Sequence, residues 1–361
     1  MSTPIYIIRR HDGNVDSFVR FGKIQFMKIL RLLLLLAFSA PASAGDFPVC
    51  FYGISSPAEL GRLKEAGFNC FQTYAQDPAR LAGLAAEAKR LKLKMVAYPD
   101  LVIGSSYEKE ARRWPMLAWY LFDEPEVKKL GTEKLQALDK RVRDWDKGQR
   151  TVFVMGEGVA AFTYGGTADA LMVDWYPVPH LPLNSVGEQV AMAKAGAAIK
   201  DPIRKNKPLW AVLQAFDWIN YPQRRKPRVG GFPTFAQVRY MTYLALARGA
   251  DGVFYFTYNG SDGIPLPERP ERWNTYQRMG SELAQLAPVF SKGRPADLPE
   301  GLDKRLAARA IRKGWRKFLI LANPEAVPLP LDAVKKWRPL FEESRYLPDS
   351  LPPQAALVLE D

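Results

Sequence analysis

Histidine is nearly absent from this sequence: the 361 residues include two, and only His180 lies beyond residue 44. A zinc site built from several histidines is therefore excluded, and a histidine-based proton relay has one residue at most. The ends of the predicted strands also lack a lysine or histidine cluster, which argues against an aldolase or a metal-dependent barrel. We expect no metal and no cofactor, and we expect acid/base chemistry to depend on carboxylates.

The sequence also lacks a hydrophobic run long enough to span a membrane. The apolar stretch near its start, Leu32 to Phe38, is far shorter than the roughly 20 residues that a transmembrane helix needs. It follows Lys28 and Arg31 and precedes the small residues Ala42 to Ala44. This order is typical of a bacterial secretory signal peptide followed by its cleavage site.

The signal peptide, residues 27–44, predicts an exported protein, periplasmic or extracellular, whose mature chain begins at Gly45. The polar residues 1–26 are interpreted as an upstream extension from a start codon assigned too early. No cysteine follows the cleavage site, so we expect neither a lipid anchor nor an integral membrane anchor.

Acidic side chains are outnumbered, with 38 Asp and Glu against 51 Lys and Arg, for a formal charge of +13. The first 44 residues hold six of the basic and two of the acidic side chains, so the remainder keeps +9. A basic protein favours anionic partners such as acidic polysaccharide or a lipid surface; nucleic acid is not expected for an exported protein. Most charge runs are only solvated loops, and this interpretation is favoured for the basic runs at Lys205 and Gln223 to Arg228. No oligomeric state is predicted.

Beyond residue 48, short β-rich apolar runs alternate with amphipathic helical patterns. Continuous apolar runs are typical of strands covered on both faces, as in a parallel sheet surrounded by helices. Eight such units predict a (β/α)8 barrel, or TIM barrel, over residues 45–292. The stretch "YGISSPAE" is not a glycine-rich phosphate loop, which disfavours an open doubly wound sheet. The predicted strands are residues 49–54, 69–74, 94–99, 117–124, 151–156, 171–176, 209–216 and 252–258.

The pattern changes after the predicted barrel. Residues 293–361 begin with a linker, "KGRPADLPEGLDKR", and continue as short apolar runs separated by proline-rich turns. We expect a small C-terminal β appendage that packs on the barrel, because so short a region buries little surface by itself.

The two cysteines, Cys50 and Cys70, fall at similar depths in the first and second predicted strands. Neighbouring strands can bring their Cα atoms within the about 7 Å that a disulfide needs, and an exported protein permits the bond. Two buried thiols account for the pattern equally well.

Active sites of such barrels lie at the carboxyl ends of the strands, so the polar residues there are the candidates for chemistry. Tyrosine and tryptophan are interleaved with carboxylates. This combination suits a sugar, whose C–H faces pack on aromatic rings while its hydroxyls need donors and acceptors. For any single aromatic residue, core packing is the ordinary alternative. The candidate substrate-binding residues are Tyr52, Gln72, Tyr74, Tyr98, Trp175, Tyr176, Gln214, Asp217, Trp218 and Tyr258.

The segment "LAWYLFDEPE" runs from the fourth predicted strand directly into three carboxylates and a proline. A polar strand-to-helix loop would explain it, since Pro125 favours an extended residue before it. Its place at the functional end of the barrel instead favours chemistry. Side chains alternate along a strand, so Ala118, Tyr120, Phe122 and Glu124 are predicted to share one side.

Three segments together resemble the clan A-type (β/α)8 glycoside hydrolases, especially relatives that carry an Asp-Glu-Pro motif: "WYLFDEPE", "DALMVDWYPV" and "MTYLALARGADGVFYFTY". The resemblance covers about residues 48–290. In that clan an Asn-Glu pair ends strand four and its glutamate is the acid/base, which implies this role for Glu124. The clan's nucleophile is a glutamate that ends strand seven, where this chain has Gln214.

Two functions are open at this point. In the first, an exported glycoside hydrolase-like enzyme acts on a poly- or oligosaccharide with Glu124 as acid and Asp174 as the base of an inverting pair. Asp123 or Asp217 could serve as the base instead, and Asp123 is otherwise expected to tune its neighbour. Gln214 cannot be a nucleophile and is expected only to hydrogen-bond the sugar. In the second, the barrel is catalytically inactive and binds carbohydrate. In both, the basic segment 221–231 is expected over the mouth of the barrel, where it favours an anionic glycan.

Overall fold

The computed structural model describes residues 47–203, 206–221, 230–260 and 262–361. The expected signal peptide and the mature start at Gly45 lie outside these residues, as do Lys205 and residues 222–229 of the basic segment. Among the helices in the described ranges, none is both long enough and apolar enough to cross a bilayer.

Eight parallel strands close into a barrel in chain order, and the last pairs with the first, which confirms the predicted (β/α)8 fold. Pairing stops earlier than several of the apolar runs do, because the chain turns into loops at the mouth. Gly53, for example, has a φ of 81°, which other residues rarely adopt, so the first strand is shorter than the predicted 49–54. The strands are β1 Val49–Phe51, β2 Cys70–Gln72, β3 Lys94–Ala97, β4 Met116–Asp123, β5 Thr151–Met155, β6 Ala170–Trp175, β7 Leu209–Gln214 and β8 Val253–Phe256.

An α-helix follows each strand and covers the outside of the barrel. Two of the helices begin at good caps: Asp77 accepts a hydrogen bond from the amide of Arg80, and Thr234 and Gln237 form a reciprocal capping box. The helices are α1 Glu59–Glu65, α2 Pro78–Leu91, α3 Glu108–Ala111, α4 Thr132–Trp145, α5 Ala161–Tyr164, α6 Ser185–Lys200, α7 Phe235–Ala247 and α8 Pro270–Lys292.

The interior of the barrel is packed with side chains from alternate positions of the strands, including the stacked rings of Trp210 and Phe254. Cys50 and Cys70 also point inward. They lie directly opposite each other on β1 and β2 and form a disulfide, so of the two alternatives that the sequence left open the structure has the bond. Both sulfurs are buried in the interior core.

Strand β4 departs from regular alternation just before the carboxylate cluster. Ala118 and Tyr120 point into the interior as predicted, but Phe122 packs against the outer core between strands and helices. The prediction that Phe122 shares their side is wrong, because the pairing with β5 shifts register between Tyr120 and Asp123. Such irregularities re-aim side chains beside active sites. Here the shift turns Asp123 inward, where it accepts a hydrogen bond from the Tyr120 hydroxyl at 2.9 Å.

A C-terminal β appendage follows α8, as predicted. Its strands are β9 Arg294–Pro295, β10 Ala307–Lys313, β11 Arg316–Ala322, β12 Leu329–Pro330, β13 Arg338–Pro339, β14 Ser350–Leu351 and β15 Ala356–Glu360. Five of them form one antiparallel sheet in the order β13-β15-β11-β10-β9, and β12 and β14 form a two-stranded ribbon.

Two arginines join the appendage to the barrel along α7. Arg239, near the start of the helix, donates to the carbonyl of Ala356 at 2.9 Å and pairs with Glu282 on α8 at 3.0 Å. Beyond the end of the helix, the carbonyl of Ala250 accepts a hydrogen bond at 2.7 Å from Arg309 of β10. Residues 240–246 are buried without a break, so this part of α7 is covered on all sides, unlike an ordinary surface helix.

Candidate active site

A cavity of about 140 Å³ opens at the carboxyl ends of the strands. The structure brings together there seven of the residues that the sequence singled out: Tyr52, Tyr74, Asp123, Glu124, Asp174, Tyr176 and Trp218. The three carboxylates come from β4, its following loop and β6, and aromatic rings form most of the remaining wall. Carboxylates framed by aromatic rings are suited to holding a sugar and transferring protons to it.

Asp123 is held by two neighbours. Its Oδ1 accepts from the Tyr120 hydroxyl at 2.9 Å, and its Oδ2 pairs with the Lys128 ammonium at 2.7 Å. Lys128 lies five residues later, in the loop that the proline of the Asp-Glu-Pro motif begins. Because both oxygens are engaged and the negative charge is balanced, Asp123 is better placed to orient its surroundings than to exchange protons.

Glu124 begins the loop after β4 in the left-handed region, with a φ of 50°. Residues other than glycine seldom adopt this conformation, and such residues concentrate at functional sites. Its amide donates to the carbonyl of Val154 at 3.0 Å, which fixes the turn against β5. A Cβ atom added to Gly156 would lie 3.1 Å from Oε1 of Glu124, so the missing side chain makes room for the carboxylate.

Glu126 was part of the acidic cluster in the sequence but was not assigned a role. Its Oε1 accepts from the backbone amides of Gly156 and Glu157, so it ties the loop after β4 to the end of β5. Its Oε2 is buried and has no hydrogen-bond partner among the described residues. Burial raises the pKa of Glu126, and the two amide hydrogen bonds oppose that effect.

Asp174, at the end of β6, is the most buried carboxylate of the cavity, with 8% of its surface exposed. The Tyr176 hydroxyl donates to its Oδ2 at 3.0 Å, and its Oδ1 has no partner within the described ranges. Burial raises the pKa of Asp174 well above its ordinary value, the charges of Glu124 and Asp123 raise it further, and the Tyr176 hydrogen bond lowers it. This environment favours the neutral carboxylic acid.

Gln214 is fully buried in the wall behind the cavity. Its Nε2 donates to the carbonyls of Val178 and Phe216, at 2.8 and 3.1 Å, and its Oε1 accepts from the Val178 amide at 2.9 Å. Gln72 is similar: its Oε1 accepts from the Gly53 amide, and its Nε2 donates to a backbone carbonyl. Both amides hold mouth loops in place and do not line the cavity.

Four other candidates also lie outside the cavity lining. Tyr98 packs edge-on against Tyr120, with ring centroids 4.9 Å apart. Trp175 donates to the Ser185 hydroxyl and belongs to the outer core, since it alternates with Asp174.

The remaining two have structural partners. Asp217 accepts from the amides of Ile219 and Gly231, so it closes the loop after β7. Tyr258 is 1% exposed and packs against Phe51 and Trp273. A strand-end position alone therefore does not predict which side chains face the mouth.

The cavity also uses four residues that the sequence analysis missed. Phe256 follows Phe254 at the spacing of two that keeps side chains on one face of a strand, so alternation along β8 was an available signal. Phe216 and Tyr221 come from the loop after β7 and have no such signal. The missed residues are Val154, Phe216, Tyr221 and Phe256.

Within the ranges that the structure describes, no three His, Cys, Asp or Glu side chains are grouped so that they could hold a metal ion. The titratable groups that line the cavity are carboxyl groups and phenols.

Comparison with known proteins gives the fold. No protein-family model matches the chain, and no curated protein matches it. A solved structure described as a glycoside hydrolase matches with a TM-score of 0.59 and 14% identity, over 89% of this chain and 98% of that one. A family 5 glycoside hydrolase from Bacteroides vulgatus matches with a TM-score of 0.55 and 15% identity, over 87% of this chain and 89% of that one.

The α-amylase of Geobacillus thermoleovorans, solved with acarbose, matches with a TM-score of 0.53 and 13% identity, over 87% of this chain and 98% of that one. At such identities the similarity shows the fold and not the activity. The chain has a (β/α)8 barrel of the kind found in glycoside hydrolases.

Proposed function

We propose that the protein is a glycoside hydrolase that cleaves a poly- or oligosaccharide at the mouth of the barrel, with Asp174 as the proton donor. One observation carries the proposal. A buried carboxyl group, whose raised pKa favours the neutral acid, has an oxygen without a protein partner beside a cavity that also contains Glu124. Glycoside cleavage requires this pairing of a proton donor with a second carboxylate.

The reaction would begin with transfer of the Asp174 proton to the glycosidic oxygen as the bond from that oxygen to the anomeric carbon breaks. Glu124 would take a proton from the water that attacks the anomeric carbon, or would attack that carbon itself. The roles are exchanged relative to the sequence-based prediction of Glu124 as acid and Asp174 as base. The reason is that burial and neighbouring negative charge disfavour the ionised Asp174 that a base requires.

Aromatic rings supply the surface on which the sugar would pack. Tyr74 is 43% exposed at the mouth, and Trp218 and Tyr176 also line the cavity. Burial raises the pKa of the Tyr176 hydroxyl well above its ordinary range, so it donates to Asp174 as a neutral phenol. That hydrogen bond orients the acid and leaves Oδ1 for the substrate.

Two variants and one control test this assignment on a panel of oligo- and polysaccharides, with release of reducing ends as the readout. Asp174→Asn and Glu124→Gln should each lower the turnover rate about 10²–10⁴-fold, which is the usual contribution of a general acid or base. Asp144→Asn, on the exposed face of α4, should keep wild-type activity. Full activity in Asp174→Asn would overturn the proposed role of this residue.

A catalytically inactive, carbohydrate-binding barrel is the second candidate, and Gln214 is the observation that favours it. The residue stands where the resemblance places a nucleophilic glutamate, and its polar atoms are occupied by the backbone. Glycan binding by the wild type without turnover of any member of the panel would favour this candidate.

The proposal includes export and a preference for acidic glycans. The signal-like residues 27–44 support export, and N-terminal sequencing of the exported protein should give Gly45 first.

The basic segment 221–231 supports an anionic substrate, and replacing Arg224 and Arg225 together with serine should weaken binding of acidic glycans.

A further inference from the structure

The appendage carries a row of cations on one face of its sheet. Arg312 of β10 lies directly opposite Arg294 of β9 on one side and Lys317 of β11 on the other. Directly opposed residues of antiparallel strands lie on the same face, so the three side chains form a line across neighbouring strands, about 5 Å apart. We call Arg294, Arg312 and Lys317 the cationic row.

Like charges placed directly opposite one another destabilise a sheet. The row therefore opposes folding. The next pair along the hairpin, Lys313 opposite Arg316, points to the other face of the sheet and is not part of the row. Within the residues that the structure describes, no acidic side chain forms an ion pair with Arg294, Arg312 or Lys313. An external anion would remove the repulsion.

Two acidic residues lie nearby and are already engaged. Glu360 contacts Arg316 and Arg338, and the Asp361 carboxylate accepts from the backbone amide of Lys317 at 2.6 Å. Neither contacts the side chains of Arg294 or Arg312. The surface thus keeps an excess of positive charge.

Aromatic rings accompany these cations. Trp315, at the tip of the hairpin between β10 and β11, is 83% exposed, which is unusual for so large an apolar side chain. Trp337 is half-buried and lies beside Lys317, with the ammonium 6.0 Å from the ring centroid. The Trp315 ring lies beside Arg316, with the guanidinium carbon 5.9 Å from the ring centroid, at the end of the hairpin that carries Arg312 and Lys317. An exposed ring near cations suits a ligand that is both charged and able to stack.

The cationic row lies far from the candidate active site. Arg309, three residues before Arg312 on β10, bonds the carbonyl of Ala250 and contacts Asp251, just ahead of β8. That point is at the amino ends of the barrel strands, whereas the cavity opens at their carboxyl ends. A ligand on the row is therefore separate from one in the cavity.

We propose that the cationic row and Trp315 form a second binding site, which takes a linear acidic polysaccharide. Cations on three neighbouring strands suit a chain that carries carboxylates at regular intervals, and Trp315 offers a face for a sugar ring. The choice of a glycan over another polyanion rests on the proposed function. The site would hold the polymer while the mouth of the barrel acts on another part of it.

Binding to polygalacturonate, measured in the Asp174→Asn background, tests the proposal without turnover. The variant Arg294→Gln, Arg312→Gln, Lys317→Gln should weaken binding roughly tenfold, since three exposed charge contacts of modest strength are lost together. Trp315→Ala should weaken it roughly three- to tenfold. Added salt should weaken the parent protein's binding and have a smaller effect on the triple variant.

The matched control removes the same charge elsewhere, as Lys89→Gln, Lys134→Gln, Lys147→Gln on and after helices α2 and α4. This control should change affinity less than twofold. Equal losses in both triple variants, or no loss in the cationic-row variant, would overturn the proposal. Stronger binding to an oligodeoxythymidine or to phosphatidylglycerol vesicles, lost in the same variant, would also overturn it and assign the surface to another partner.

The result can be read separately from the proposed catalytic function. If Asp174→Asn keeps full activity, the assignment of the acid fails, whereas the comparison between the cationic-row variant and its matched control in one background still tests the second binding site. If the cationic-row variant binds polygalacturonate as well as its parent does, the proposed second site is wrong, and the proposed cleavage at the mouth of the barrel still stands.

Discussion

At the scale of single residues, the surroundings of Asp174 link catalysis to folding stability. Burial and the charges of Glu124 and Asp123 raise its pKa in the folded protein above the ordinary 3.8. At pH values between the ordinary pKa and the raised pKa, the Asp174 carboxyl group keeps its proton in the folded protein and has released it in the unfolded chain. The contribution of Asp174 to stability is therefore greatest below pH 3.8 and falls as pH rises through the folded pKa.

We expect Asp174→Asn to remove this pH dependence. The free energy of unfolding of the variant minus that of the wild type should be larger at pH 7 than at pH 4. The reason is that the wild type loses up to about 1.4 kcal/mol of stability per pH unit between the unfolded and the folded pKa of Asp174. Denaturant unfolding at the two values measures the difference. A difference between variant and wild type that is the same at both pH values would contradict the raised pKa.

Gly156 is a second residue whose small size has a catalytic consequence. A methyl group there would lie 3.1 Å from Oε1 of Glu124 and 3.4 Å from Oε1 of Glu126. Both contacts are with the ends of flexible side chains, so the carboxylates should move while the fold is kept.

We expect Gly156→Ala to lower the turnover rate about tenfold or more, because displaced catalytic groups lose alignment, with little change in the unfolding midpoint. Gly148→Ala is the matched control, since its methyl group would have an ordinary contact of 3.6 Å with Asp146. Equal activity of the two variants would show that Gly156 does not position Glu124.

At the scale of elements, the end of β7 shows how a buried amide fixes a loop. Gln214 donates two hydrogen bonds to the carbonyls of Val178 and Phe216. A glutamate in its place would lack these donors and would bring negative charge towards two carbonyl oxygens. We expect Gln214→Glu to destabilise the protein by about 2–4 kcal/mol, as an unpaired buried group does, without a gain in hydrolysis.

Chemical unfolding and the glycan panel measure both parts of this expectation, with the exposed Gln277→Glu as control. A stable Gln214→Glu protein with new or higher activity would mean that the resemblance to clan A applies fully and that this position had held the nucleophile.

The order of the elements could be predicted from the sequence, whereas the directions of several side chains could not. Alternating apolar runs and amphipathic helices predict eight strand-helix units, because each strand buried on both faces leaves a continuous apolar run. The side of β4 that Phe122 occupies depends on a register shift with β5, which is a contact between distant parts of the chain. The role of Gln214 likewise depends on Val178, 36 residues earlier.

At the scale of the whole molecule, the disulfide joins the first two strands of a barrel that closes only when β8 pairs with β1. The bond spans 20 residues of sequence. In the chain-entropy account, a loop of this length stabilises the folded state by about 3 kcal/mol. We expect Cys50→Ala with Cys70→Ala to lower the free energy of unfolding by that amount or more, because the change also leaves space in the core.

Unfolding of the wild type with and without reductant, beside the double variant, measures this effect. Thiol titration of the denatured, unreduced wild type should find no reactive thiol. Two reactive thiols would show that the bond does not form.

Helix α7 has a consequence for how the chain can be divided. Its residues 240–246 are buried all round, between the strands on one side and β10, β11 and β15 on the other. A protein shortened at residue 292 would therefore expose an apolar surface of α7 to water and would aggregate. In evolutionary terms the last 69 residues are not an independent module. A lineage that lost them would also need polar substitutions on the surface of the barrel that they cover.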